Sequence, residues 1–166
     1  NRLTGDFEIE VDVNVASPSD GIHKVILSRM SPPGTHNRNN QIWFSISSVG
    51  QADWYMSNNH PSTSSTDYMG MRITAPSAIA ANTWTNIRLT ASGTTFTMYV
   101  DGVQVGQKTT WTGGASYPRI STTEPFRVGG YSNPTNYYFK GLMKNLKLDG
   151  EYLIQSHTAL NAGPVM

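Results

Sequence analysis

No cysteine occurs among the 166 residues, which excludes disulfide staples and thiolate-bearing zinc sites. Charge is also scarce. Asp, Glu, Lys and Arg make up 14% of the chain and the net charge is +1, against about 25% charged residues in an average soluble protein. No basic run exceeds a pair, so the footprint of a nucleic-acid binder is missing and no nucleic-acid partner is expected. Nor does any stretch approach the ~20 consecutive apolar residues of a membrane-spanning helix, so membrane insertion is not expected. No signal-peptide pattern is present and the first residue is Asn. The chain therefore reads as a module of a larger secreted, cell-surface or virion protein. The four histidines, His23, His36, His60 and His157, show no His-x-His or His-x-x-x-His spacing.

Ser, Thr, Asn and Gly are abundant, and apolar residues recur at every second position. In "GDFEIEVDVNV" (5–15), Phe7, Ile9, Val11, Val13 and Val15 alternate with Glu8, Glu10 and Asp12. "QIWFSIS" sets Ile42, Phe44 and Ile46 against Gln41, Trp43 and Ser45. "TWTNIRLTA" and "TFTMYV" form a hairpin around Ser92-Gly93, and Asp101-Gly102 turns the chain into "VQVGQKTT". No segment has helical periodicity. Short strands separated by turn residues define an all-β fold in which two antiparallel sheets press their apolar faces together. The expected division is a β-sandwich over residues 1–150 and a tail or crossing segment over 151–166.

Two further stretches narrow the fold. "NTWTNIRLTASGTTFTMYVDGVQVG" and "PFRVGGY…YYFKGLMKNLKL", with the opening "GDFEIEVDV", resemble the corresponding strands of laminin-G-like domains. That resemblance spans residues 5 to 148 and implies the concanavalin A-like jelly roll of the lectin and glucanase superfamily. Within it Asp101-Gly102 makes a turn, Trp84 fills core and Gly141 permits close packing. Such domains bind glycans or proteins, and some hold calcium.

The acid ladder Glu8, Glu10, Asp12 has two readings. Residues two apart on a strand lie about 6.5–7 Å apart on one face, near the roughly 6.5–9.5 Å spacing of inverting glycosidases. A catalytic set would therefore be Glu8, Glu10 and Asp12. The laminarinase-type relatives, however, place Glu-x-Asp-x-(x)-Glu mid-chain, whereas here Glu-x-Glu-x-Asp opens the fold. The favoured reading is a solvated outer face. Likewise "QIW" and "YFKGL" echo alginate lyases, but Trp43 stands where those enzymes need a histidine.

Aromatic rings suit sugar faces, and neighbouring amides and charges fix hydroxyls. The expected ligand-binding residues are Trp43, Trp54, Trp111, Tyr117 and Tyr131, with Gln41, Arg72 and Asn58 as polar partners. No cofactor is required; oxygen ligands for calcium would be Asp53, Asp67 and Asn59. The sequence thus predicts a non-catalytic, lectin-like module binding a surface or structural polysaccharide. The alternatives are a structural, protein-contacting module of a larger assembly, and a jelly-roll glycoside hydrolase or polysaccharide lyase.

Overall fold

The structure, a computed structural model, describes residues 5–29, 42–57, 70–109, 125–130, 137–155 and 158–160. The described residues contain twelve strands and no helix: β1 (Phe7–Asn14), β2 (Lys24–Arg29), β3 (Ile42–Ile46), β4 (Gln51–Ser57), β5 (Gly70–Ala78), β6 (Thr85–Ser92), β7 (Thr95–Val100), β8 (Val103–Lys108), β9 (Arg127–Val128), β10 (Gly141–Leu148), β11 (Glu151–Ile154) and β12 (Thr158–Leu160). They form two antiparallel sheets. Sheet A runs β11-β10-β1-β6-β7-β8, with β12 also on β10; sheet B runs β5-β4-β3-β2-β9.

Alternation in β1 is complete, with Phe7, Ile9, Val11 and Val13 buried and Glu8, Glu10 and Asp12 facing outward. These side chains meet Phe44, Trp54, Met56 and Ile73 from sheet B in one core. Each fully buried large apolar side chain contributes about 1.5–3 kcal/mol, so the facing apolar rows hold the two layers together. Phe7 touches both Trp54 (ring centroids 6.1 Å) and Phe96 (5.9 Å), joining the sheets. At one margin the sheets approach very closely: a Cβ on Gly106 of β8 would lie 2.6 Å from Ile73 Cγ2 of β5. Pro76 is accommodated in β5 because that strand is a sheet edge.

Irregularities are placed by particular residues. Between Glu10 and Asp12 the pairing partners on β10 step from Lys147 to Lys144, so β10 carries one extra residue. Asn145 there has φ of 51°, a conformation Asn tolerates better than most residues. The bulge moves the buried positions of β10 to Met143, Leu146 and Leu148. Gly141 precedes it, and a Cβ there would meet Asn14 O at 2.5 Å, in line with the packing role expected for it.

Turns in sheet A are clasped by aspartates. Asp101 and Gly102 have φ of 48° and 79°, the both-positive geometry of a type I′ hairpin. Asp101 N donates to Asn86 O and its Oδ1 accepts from Asn86 N, both 2.8 Å. Asp149-Gly150 repeats the device with φ of 52° and 77°: Asp149 N donates to Glu8 O (2.9 Å) and Oδ1 accepts from Glu8 N (2.8 Å). The β6–β7 turn is centred on Gly93 and Thr94, one residue later than expected, since Ser92 pairs with Thr95; Asp6 accepts from Gly93 N (2.7 Å) and Ser92 Oγ (3.1 Å). Beyond the Asp149-Gly150 turn, β11 and β12 follow each other along the free side of β10, with Leu148 opposite Glu151 and Gly141 opposite Leu160.

Candidate functional site

On the outer face of sheet A the carboxylates of the acid ladder are bonded to the neighbouring strands. Glu10 accepts from Asn86 Nδ2 (3.1 Å) and Lys147 Nζ (3.2 Å). Asp12 accepts from Asn86 Nδ2 (2.9 Å) and Asn145 Nδ2 (2.7 Å), and Arg88 lies 3.7 Å from Glu8. The carboxylates cross-link β1 to β6 and β10. The cations are also engaged by rings: Arg88 over Tyr99, Lys144 over Trp84 and Lys147 over Tyr152. Glu10 holds the Lys147 ammonium above its usual pKa. Trp84, expected in the core, is half-buried on this outer face because it continues the phase of Asn86 and Arg88 rather than that of Thr85 and Ile87.

The outer face of sheet B is organised differently. Backbone pairing places Arg127, Ser28, Trp43, Tyr55 and Arg72 in one row across five strands, with Ser45, Asp53 and Thr74 in the next. Trp43 is half-buried; its Nε1 donates to the wholly buried Ser45 Oγ at 2.8 Å, which fixes the indole. Tyr137, 39% exposed, packs edge-on against Trp43 with centroids 5.6 Å apart. His23 completes a three-ring cluster, 6.1 Å from Trp43 and 5.9 Å from Tyr137. Edge-to-face geometry is the preferred packing of such rings.

Beside the rings stands a fixed ion pair. Arg72 donates through Nε to Asp53 Oδ1 (2.9 Å) and through Nη2 to Oδ2 (3.0 Å), while Thr74 Oγ1 donates to Oδ1 (2.7 Å). The pair is asymmetric: the Arg72 side chain is 58% exposed and that of Asp53 3%. The hydrogen bonds that Arg72 donates to Asp53 raise the Arg72 pKa further. Burial pushes the His23 imidazole below its ordinary pKa; Asp53 opposes this, and Arg72 and Lys24 add to it. His23 Nδ1 is buried without a hydrogen-bond partner among the described residues. Lys24, itself buried, donates to Asp20 Oδ1 (2.5 Å) and to the carbonyls of Pro18 and Ile22, which holds the approach to β2. Burial works against the Asp20 carboxylate, but the bonds from Lys24 and Ile22 outweigh it and lower its pKa.

Of the expected site residues, Trp43 and Arg72 lie on this face. Trp54 does not: it is wholly buried in the core, packed against Phe44 at 5.8 Å, and its neighbour Tyr55 holds the outward position. Asp53, expected as a calcium ligand, has both oxygens committed to Arg72 and Thr74, and no metal-ligating cluster occurs among the described residues. Gln41, Asn58, Asn59, Asp67, Trp111, Tyr117 and Tyr131 lie outside the described residues. His23, Tyr55, Tyr137 and Thr74 were not foreseen as site residues. A bulge between Val25 and Leu27 hides the phase that places His23 on this face.

The two facing antiparallel sheets define a β-sandwich. A laminin-G-like family model described as the concanavalin A-like lectin/glucanases superfamily matches residues 4–153, and the chain belongs to that family. No curated protein sequence matches it. Among solved structures it is similar to the CBM40 of Ruminococcus gnavus IT-sialidase bound to α2,3-sialyllactose, at 12% identity over 84% of this chain and 72% of that one, TM-score 0.61. It is also similar to domains LG4-5 of the mouse laminin α1 chain (21%, 89% and 36%, 0.59). A third is domain 4 of AbnA, an extracellular GH43 arabinanase of Geobacillus stearothermophilus, in complex with arabinotriose (14%, 95% and 63%, 0.55). At these identities the likeness is one of fold.

Proposed function

We propose that the chain is a non-catalytic carbohydrate-binding module of a larger extracellular or virion protein, and that it holds glycan on the outer face of sheet B. The observation that carries this reading is the three-ring cluster of His23, Trp43 and Tyr137 beside the exposed Arg72. Rings offer a flat apolar surface to a sugar, and the adjoining donors orient its hydroxyls. Carbohydrate ligands in two solved relatives, sialyllactose and arabinotriose, support the ligand class. The non-catalytic part rests on the acid ladder, whose carboxylates serve as cross-links between strands. Such a surface site is shallow and weak by itself, and gains strength through multivalency.

The test is a glycan array followed by titration calorimetry on the best ligand. Trp43→Ala and Tyr137→Ala should each weaken binding about tenfold, the loss of roughly 1.4 kcal/mol of ring contact, with an unchanged unfolding midpoint for Tyr137→Ala. Unaltered affinity in both variants refutes the location. Hydrolysis of the ligand, lost in Glu8→Gln or Glu10→Gln, refutes the non-catalytic reading. A protein-contacting role is the second reading, favoured by Leu142, Tyr152 and Leu153, which are 38%, 49% and 40% exposed on neighbouring strands β10 and β11. Failure of a folded protein to bind any glycan would select it.

A further inference from the structure

Resting on the glycan-binding reading, we propose that the ligand is an acidic glycan whose carboxylate docks on Arg72 while a sugar ring contacts the Trp43–Tyr137 cluster. Three observations lead there.

The first is the asymmetry of the Arg72–Asp53 pair. A guanidinium has five N–H donors, and Asp53 and Arg72 share two hydrogen bonds, through Nε and Nη2. Both protons on Nη1 and the second on Nη2 have no partner among the described residues. Asp53 is sunk into the sheet and Arg72 stands out of it, so an approaching ligand meets the cation. The anion beneath holds the fork in place, which reduces the ordering cost of a planar, two-bond contact with a carboxylate.

The second is position. Arg72 and Trp43 lie in the same cross-strand row, separated only by Tyr55. Adjacent strands are about 4.8 Å apart, so the two residues are roughly 10 Å apart at the backbone. His23 and Tyr137 pack on the Trp43 ring and extend the aromatic surface beside that row. One sugar ring with a carboxylate substituent reaches from the cluster to the guanidinium.

The third is the contrast with sheet A. There Arg88, Lys144 and Lys147 are each engaged by a ring, and Arg88 and Lys147 by a carboxylate as well. On sheet B the Arg72 guanidinium is held by the Asp53 carboxylate, and no ring covers it among the described residues.

Matched glycan pairs differing only in the acid test this: α2,3-sialyllactose against lactose, and oligogalacturonate against its methyl ester, by titration calorimetry on the intact chain. The acidic member of at least one pair should bind about tenfold more tightly, with the advantage shrinking as salt rises. Arg72→Gln alone leaves Asp53 buried without its partner and endangers folding. The decisive variant is therefore the double substitution Asp53→Asn with Arg72→Gln, in which the acidic-to-neutral affinity ratio should fall to near one. Equal binding of acidic and neutral members overturns the proposal and spares the glycan-binding reading. Retention of the acidic preference in the double variant overturns the role of Arg72. Absence of binding to every sugar overturns both.

Discussion

Trp54 and Tyr55 are neighbours in the chain with opposite environments, and the pair shows what a single residue decides. Strand geometry sends one ring inward and the other outward. Trp54 is fully buried between Phe7 and Phe44, so Trp54→Ala leaves a large cavity and should cost about 3–5 kcal/mol in a urea unfolding series. Tyr55→Ala should cost less in stability and more in glycan affinity. A reversed ranking would contradict the assignment of faces. The sequence supplies the alternation but not its phase in this strand, because both residues are large and aromatic. Trp84 is the mirror case: the phase of Thr85, Ile87 and Leu89 already places it outside, yet its bulk suggests core. The half-buried solution, with Lys144 across the indole, depends on a strand far away in sequence.

Among the elements, legibility follows how different a strand's two faces are. β1 separates apolar from acidic residues completely, and its inward and outward sets are readable residue by residue. β2 is buried at all six positions and bulged between Val25 and Leu27, so no alternation survives to place His23. Most of the jelly-roll layering was thus visible in the sequence, but only Trp43 and Arg72 of the described candidate site were. The rest depends on tertiary contact, which joins residues as distant in sequence as His23 and Tyr137. The Asp-Gly turn is legible at Asp101-Gly102, whereas Asp149-Gly150 carries the same dipeptide just before the segment, 151–166, expected to be a tail or crossing. Each of these aspartates contributes its carboxylate to a neighbouring strand. Asp101→Ala and Asp149→Ala should each lower stability by about 1–2 kcal/mol, measurable as a shift in denaturant midpoint with unchanged slope. Equal stability of both variants with the parent would show that the clasps are incidental.

At the scale of the whole molecule, a chain poor in charge uses its acids for architecture. Among the described residues, Asp6, Glu8, Glu10, Asp12, Asp20, Asp53, Asp101 and Asp149 each hold a neighbouring residue by hydrogen bond or ion pair. Asp20 and His23 both make the fold less stable as pH falls. The Asp20 pKa is lowered on folding, so its contribution is present above the unfolded value of 3.8 and is lost as pH falls through the folded value. The His23 pKa is also lowered, so the folded state resists its protonation; stability is full above 6.5 and declines below it. Acid titration of the unfolding midpoint should show a decline beginning below about pH 6.5 that His23→Gln removes. An identical profile in that variant would place the titrating group elsewhere.

Arg29, Ile42, Met56 and Met71 lie side by side across sheet B. These four strand ends therefore share a single rim of the sheet, whereas the β3–β4 connection at the opposite rim is short and internally bonded through Ser47 and Gly50. The two rims of sheet B thus differ in how tightly the backbone between strands is tied down: one is closed by its own hydrogen bonds, and the other is anchored by strand pairing at Arg29, Ile42, Met56 and Met71.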